Sequence, residues 1–147
     1  MRVYSAGKED VAKIAPLFNS YRQFYECDSD IAAAESYLQN RLEADECRVF
    51  LAEHQGKAVG FTLLYASYCS LALKPIYILY DLYVTERARR LGVGSALMTA
   101  AEQFAKNQGA CRIQLETNHA NKTAIELYER RGYELDTVYR AYTRELG

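Results

Sequence analysis

Between Arg87 and Ser95 the chain reads RARRLGVGS, three arginines followed by two glycines one residue apart. These residue types suit the holding of an anion. A helix start presents backbone N–H groups and the positive end of a dipole. Gly92 and Gly94 lack the Cβ atoms that keep a phosphate off the backbone. Arg89 and Arg90 add planar cations that match phosphate oxygens, whereas Arg87 reads as a solvated charge. The stretch therefore reads as a phosphate-binding turn. Just upstream, Asp81 interrupts the apolar and aromatic run IYILYDLYV, Ile76 to Val84. A carboxylate placed there needs a partner or a shifted pKa, and it serves as a general base or as a structural hydrogen-bond acceptor. Simple alternation groups Asp81 with Tyr77, Leu79 and Tyr83, and a bulge in the strand reverses that parity. Glu26, Asp28 and Asp30 form an acidic cluster that either attracts a cationic ligand or caps and solvates a helix.

The elements that hold these residues follow from periodicity. Ile76–Val84 has the composition of a strand buried on both faces. Beyond Gly94, Leu97, Ala101 and Phe104 recur at helical spacing, with Met98 and Ala105 beside them, until Gly109 ends the helix. Earlier, a strand near Arg2–Ser5 precedes a helix led by Lys8-Glu9-Asp10, with Val11, Ile14, Leu17, Phe18, Tyr21 and Tyr25 on one face. Asp28-Ser29-Asp30 resembles the cap of a second helix built on Ile31, Ala34, Tyr37, Leu38 and Leu42. Cys47–Glu53 and Ala58–Tyr65 read as a hairpin turning through His54-Gln55-Gly56-Lys57, and Ala66–Lys74 reads as a loop. Cys111–Thr117 is a further strand, Lys122–Arg131 a short helix, and two last strands fall near Tyr133–Asp136 and Tyr139–Glu145. The order β-α-α-β-β-β-α-β-α-β-β implies a mixed sheet with helices on both faces.

Composition narrows the classes. A chain of 147 residues fits one domain, 1–147. Half the residues are hydrophobic and a quarter charged, ordinary usage for a soluble globular protein. A net charge of −1 leaves no basic excess for a nucleic-acid backbone. The four cysteines, Cys27, Cys47, Cys69 and Cys111, lack CxxC or histidine spacing, so reduced thiols and no metal are expected. The N-terminus has no apolar signal core, and no apolar run is long enough for a membrane helix. A cytoplasmic protein is the expectation. Among thirteen tyrosines, residue type alone singles out no phenolic acid.

Three phosphate-loop patterns compete for Arg87–Ser95. A Walker loop requires Lys and then Ser or Thr after its last glycine, and Gly94 is followed by Ser95-Ala96. A Rossmann fingerprint requires a third glycine where Leu97 stands, early in a repeated βαβ array. The third pattern fits. Arg89-Arg90-Leu91-Gly92-Val93-Gly94 resembles the R/Q-x-x-G-x-G/A loop of the GNAT superfamily of acyl-CoA-dependent N-acetyltransferases. The segment from Asn121 through Ala124, Tyr128 and Gly132 to Tyr133 is similar to that family's second signature, N-x-x-A-x-x-L-Y-E-x-x-G-F/Y. The two stand at the family's usual separation, and the resemblance covers nearly the whole chain.

The resemblance implies an α/β (α+β mixed) fold: a mostly antiparallel sheet of six to seven strands with a splayed central parallel pair and helices on both faces. It implies acetyl-CoA as cosubstrate and a primary amine as acceptor, either a small molecule or a basic peptide or protein, attacking directly in a ternary complex. The coenzyme pyrophosphate is expected on the backbone of Arg89, Arg90, Leu91, Gly92, Val93, Gly94 and Ser95. The pantetheine arm is expected along Leu82, Tyr83 and Val84, opposite Leu115–Thr117, with an N–H near Leu82 for the oxyanion. Tyr128 stands where similar enzymes place the acid for the departing thiolate, its other role being core packing. Asn121 is a helix cap or a coenzyme ligand. The sequence departs from the family at the base. Several members carry a glutamate at or near position 80, and Tyr80 stands here, leaving Asp81 or a water relay to Glu26, Asp28 or Tyr80. That departure motivates an alternative, an acyl-CoA sensor without catalysis. Tyrosine-rich last strands at the sheet edge suggest a homodimer.

Overall fold

In the strand around Val49 every second residue has a different neighbour, yet Val49, Phe50, Leu51 and Ala52 are all buried. A strand apolar on both sides must be covered on both sides, and this requirement organises the molecule. The computed structural model describes residues 1–147. It comprises two compact units, Met1–Leu115 and Glu116–Gly147.

The first unit holds β1 (Arg2–Ala6), α1 (Val11–Phe24), α2 (Ile31–Glu43), β2 (Cys47–His54), β3 (Lys57–Cys69), β4 (Lys74–Val84), α3 (Val93–Asn107) and β5 (Ile113–Gln114). Its sheet has the order β1-β2-β3-β4-β5; the first four strands are antiparallel and β5 runs parallel to β4. On one face Ile14, Ala15, Leu17 and Phe18 of α1 and Ala34 and Leu38 of α2 close over Val49, Leu51, Phe61 and Leu63. On the other face Phe104 of α3 meets Phe50 at 5.9 Å and Tyr77 at 5.1 Å between ring centroids. The arrangement is the mixed α/β fold expected, with helices on both faces and a parallel pair at β4-β5.

Local signals explain the joints. The Asp30 side chain accepts from Ala33 N at 3.0 Å and caps α2. Gln55 and Gly56 both have positive φ, 53° and 76°, the backbone of a tight two-residue hairpin turn. The segment expected to be a loop at Ala66–Lys74 is largely strand. β3 and β4 stay paired from Ala66↔Tyr77 to Cys69↔Lys74, because the partner strand supplies ladder bonds that small residues such as Ala66 and Ser67 accept as readily as larger ones.

The second unit holds α4 (Lys122–Arg130), whose Asn121 cap accepts from Ala124 N at 3.4 Å. The two final strands expected near Tyr133–Asp136 and Tyr139–Glu145 are absent, so the sheet has five strands rather than six or seven. Between those runs the Asp136 carboxylate accepts from Val138 N at 2.9 Å and Tyr139 N at 3.0 Å. These bonds fold Asp136–Tyr139 into a local turn.

Candidate active site

β4 carries one residue more than its partner strand. The register passes from Leu63↔Asp81 to Leu64↔Leu79, leaving Tyr80 as the extra residue of a β-bulge. Two hydrogen bonds show the consequence. Tyr77 N donates to Arg112 O at 3.2 Å on the β5 side, while Thr85 N donates to Val59 O at 2.8 Å on the β3 side. Residues an even number of positions apart point the same way in a regular strand, so the bulge has reversed the comb of amides between them. Beyond it, Leu82 and Val84 direct their backbone groups away from β3. The β4-β5 ladder covers only Tyr77↔Ile113 and Ile78↔Gln114, so Leu82 and Val84 lie past its end. β5 is thus shorter than the Cys111–Thr117 strand expected.

The same bulge decides where Asp81 points. Tyr77 packs on Phe104 of α3, whereas Tyr83 meets Tyr21 of α1 at 6.3 Å. Asp81, opposite Leu63, shares the α1 face with Tyr83, and the simple grouping with Tyr77 and Leu79 does not hold. Asp81 is only 6% exposed. Burial pushes its carboxyl up from the usual aspartate range to about 6, and a hydrogen bond from the Tyr21 hydroxyl pulls in the opposite direction. The Tyr21 hydroxyl also lies 3.5 Å from Tyr80 O. The strand backbone is held from behind by Thr62, whose buried hydroxyl donates to Asp81 O at 2.8 Å.

Tyrosines surround this carboxylate. Tyr80 is 63% exposed, and its ring stands edge-on to Tyr65 at 5.4 Å. Burial pushes the Tyr65 phenol up, the hydrogen bond shared with the Tyr37 hydroxyl adds to the shift, and the Asp81 charge contributes less. Tyr21 continues the cluster to Tyr25 at 5.0 Å, and Tyr25 to Phe24 at 5.2 Å. The acidic segment after Tyr25 is anchored by buried Asn19, which donates to Ser29 Oγ at 3.0 Å and accepts from Asp30 N at 2.8 Å. Asp30 therefore acts as a helix cap in a loop fastened to α1. Asn19 escaped the sequence reading because an amide on an apolar helix face carries no spacing signal.

After β4 a single 3-10 turn, Glu86–Ala88, leads into the basic loop. Arg89 Nε donates to Val84 O at 3.2 Å and ties the loop to the strand end. Arg90 has φ 68° and Gly92 φ 79°, and the first helical bond of α3 runs from Ala96 N to Gly92 O at 3.0 Å. Val93 and Gly94 thus carry amides ahead of the helical ladder, and Gly92 supplies no capping side chain. A Cβ at Gly92 would meet nothing within 4 Å, so the glycine answers to its left-handed backbone and not to crowding. Arg87, Arg89, Arg90 and Leu91 are exposed, Gly94 and Ser95 half-buried, and Val93 buried. Gly60 of β3, unremarked in the sequence, seats the helix. A Cβ there would stand 2.9 Å from Tyr83 O, 3.1 Å from Val93 Cγ1 and 3.3 Å from Leu97 Cδ1.

Of the remaining expected site residues, Asn121 and Tyr128 belong to the second unit. Asn121 is the cap of α4, and Tyr128 is buried with its ring 6.0 Å from Tyr133.

Comparison with known proteins gives a consistent picture. The model of the acetyltransferase (GNAT) family matches residues 14–133. The chain is 45% identical over 142 residues to the uncharacterized N-acetyltransferase YhfO of Bacillus subtilis (strain 168), covering 97% of this chain and 95% of that protein. A probable acetyltransferase of Haemophilus influenzae is 26% identical over 147 residues, 99% of each chain. The crystal structure of a probable acetyltransferase superposes with a TM-score of 0.95 at 36% identity, covering 100% of this chain and 99% of that one.

Proposed function

From the premise that this chain belongs to the acetyltransferase (GNAT) family and is an acetyl-CoA-dependent acetyltransferase, we propose that it acetylates a primary amine by direct attack within a ternary complex. The observation that carries the proposal is the bulge at Tyr80. In one step it turns the backbone of Leu82 and Val84 toward the edge beyond β5 and buries a carboxylate beside them.

In this reading the coenzyme pyrophosphate lies on the backbone from Arg89 to Ser95, supported by the left-handed Gly92 and by the amides of Val93 and Gly94 ahead of the helical ladder. Arg89 and Arg90 flank it with positive charge, and Arg89 also clamps the loop to Val84. The pantetheine arm extends β4 along Leu82, Tyr83 and Val84 as an added strand. The Leu82 N–H stabilises the oxyanion that develops on the thioester carbonyl. Asp81 takes the amine proton, directly or through a bridging water. Its raised pKa of about 6 leaves it ionised at neutral pH and a stronger base than an ordinary aspartate. Tyr128 donates to the leaving thiolate, and Asn121, besides capping α4, contacts the coenzyme.

The sensor alternative rested on a tyrosine at position 80, but the adjacent residue supplies a buried carboxylate with a base-like pKa. The proposal includes a cytoplasmic setting and a homodimer; sedimentation velocity giving a monomer at all concentrations removes the dimer. Two measurements test the mechanism. Titration calorimetry should detect coenzyme A binding that weakens in the Gly92→Ala variant. Initial rates against both substrates should give intersecting lines; parallel lines, the signature of a covalent acyl-enzyme, overturn direct attack.

A further inference from the structure

Resting on the acetyltransferase reading above, we infer that the acceptor subsite is the aromatic wall of Phe24, Tyr25, Tyr21 and Tyr80 leading to Asp81, and that it takes an aryl-alkylamine, a primary amine with one positive charge and an aromatic body.

The wall is continuous. Phe24 meets Tyr25 at 5.2 Å and 81°, Tyr25 meets Tyr21 at 5.0 Å and 60°, and the Tyr21 hydroxyl donates to Asp81. On the strand side Tyr80 stands against Tyr65 at 5.4 Å and 73°. These tilted and edge-to-face pairs leave ring surface uncovered: Phe24 is 60% exposed, Tyr25 45% and Tyr80 63%. Large aromatic rings gathered at the surface without burial contribute little to folding and mark a recognition surface. Their shape suits a planar apolar body, and their negative faces suit an ammonium group.

Charge narrows the class further. The wall ends at one buried carboxylate, which matches one ammonium group. A polyamine would need further carboxylates at intervals; Asp30 in the neighbouring loop caps α2, and the exposed Glu26 and Asp28 beyond Tyr25 make spermidine the competing acceptor that the experiment must separate. An α-amino acid would bring its own carboxylate beside Asp81 in a poorly solvated setting, where like charges repel strongly. The one basic side chain stacked on the cluster, Arg41 at 5.2 Å from the Tyr37 ring, is paired with Glu46 at 2.8 Å. The reaction balances without another reagent. The ammonium gives a proton to Asp81, the freed lone pair forms the C–N bond, and the C–S bond breaks with its electron pair leaving on sulfur. Of the two protons left on the nitrogen, one stays in the amide and the other is passed on to the thiolate to give free coenzyme A, while Asp81 releases its proton to solvent.

The experiment measures free-thiol release from acetyl-CoA with 2-phenylethylamine, n-butylamine, spermidine and phenylalanine, alongside coenzyme A calorimetry. The expected result is a kcat/KM for 2-phenylethylamine about tenfold or more above that of n-butylamine, the scale of one added ring contact with an ammonium held nearby. In Tyr25→Ala and Phe24→Ala that ratio should fall toward one through KM, with Tyr25→Phe retaining it. A preference for spermidine or phenylalanine, or a ratio unmoved in Tyr25→Ala, overturns the subsite while leaving the acetyltransferase reading intact. Coenzyme A binding without turnover of any amine overturns it too. Absence of both binding and turnover removes the subsite and the parent reading together.

Discussion

The Tyr21 hydroxyl on α1 donates to the buried carboxylate of Asp81 on β4. With the contact from the same hydroxyl to Tyr80 O, it joins the helix bearing the aromatic wall to the strand bearing the proposed base. It also opposes burial, favouring the charged carboxylate that desolvation disfavours.

Tyr21→Phe removes the opposing contribution, so the Asp81 pKa should rise beyond about 6. The ascending limb of kcat against pH should move to higher pH, with the plateau rate less affected. A profile superposing on that of the parent enzyme refutes the link.

Asp81→Asn should lower kcat by roughly 10²–10⁴-fold, the usual contribution of a positioned base, and abolish the limb near pH 6. Its stability effect has a definite sign. The folded pKa of about 6 lies above the unfolded value near 3.8, so the folded state holds the proton more tightly and parent stability falls as pH rises from about 4 to 6. Above that window the buried charge costs at most about 3 kcal/mol. Denaturant melts should show the variant gaining on the parent between pH 4 and 7; a constant difference across that range contradicts the assignment.

Gly60→Ala places a methyl against Tyr83 O, a backbone atom that cannot swing aside. Overpacking of this kind costs about 1–3 kcal/mol. The start of α3 should also shift from β4, weakening coenzyme A binding in calorimetry. A variant of unchanged stability and affinity shows that the contact is slack.

Tyr128→Phe should greatly reduce turnover with little change in coenzyme A affinity, because only the phenolic proton is lost. Comparing kcat with the calorimetric Kd checks this, and undiminished kcat refutes the acid assignment.

Most of the scaffold was legible in the residues. Leu97, Ala101 and Phe104 announced α3 through their spacing, Gln55-Gly56 announced the hairpin turn, and Asp30 was identifiable as a cap. Three features were not. The β3-β4 hairpin runs through small and polar residues such as Ser67, because pairing with the partner strand outweighs local preference. Gly60 looks like any glycine in a strand until the helix lying over it is known. The bulge at Tyr80 leaves no compositional trace, since its cause is a mismatch in count between neighbouring strands. The orientation of Asp81 followed from that mismatch, so the sequence could name this carboxylate as a candidate base but not the face it takes.

The supernumerary residue makes β4 sensitive to its length more than to what fills position 80. Exchanging the tyrosine for another amino acid preserves the phase of everything downstream. Deleting it would rotate Leu82 and Val84 into the interior of the sheet and swing Asp81 to the opposite side, dismantling the proposed coenzyme docking and the proposed proton removal in one event. Substitutions here should therefore alter which amine is preferred, whereas shortening the chain by one residue should silence the enzyme outright.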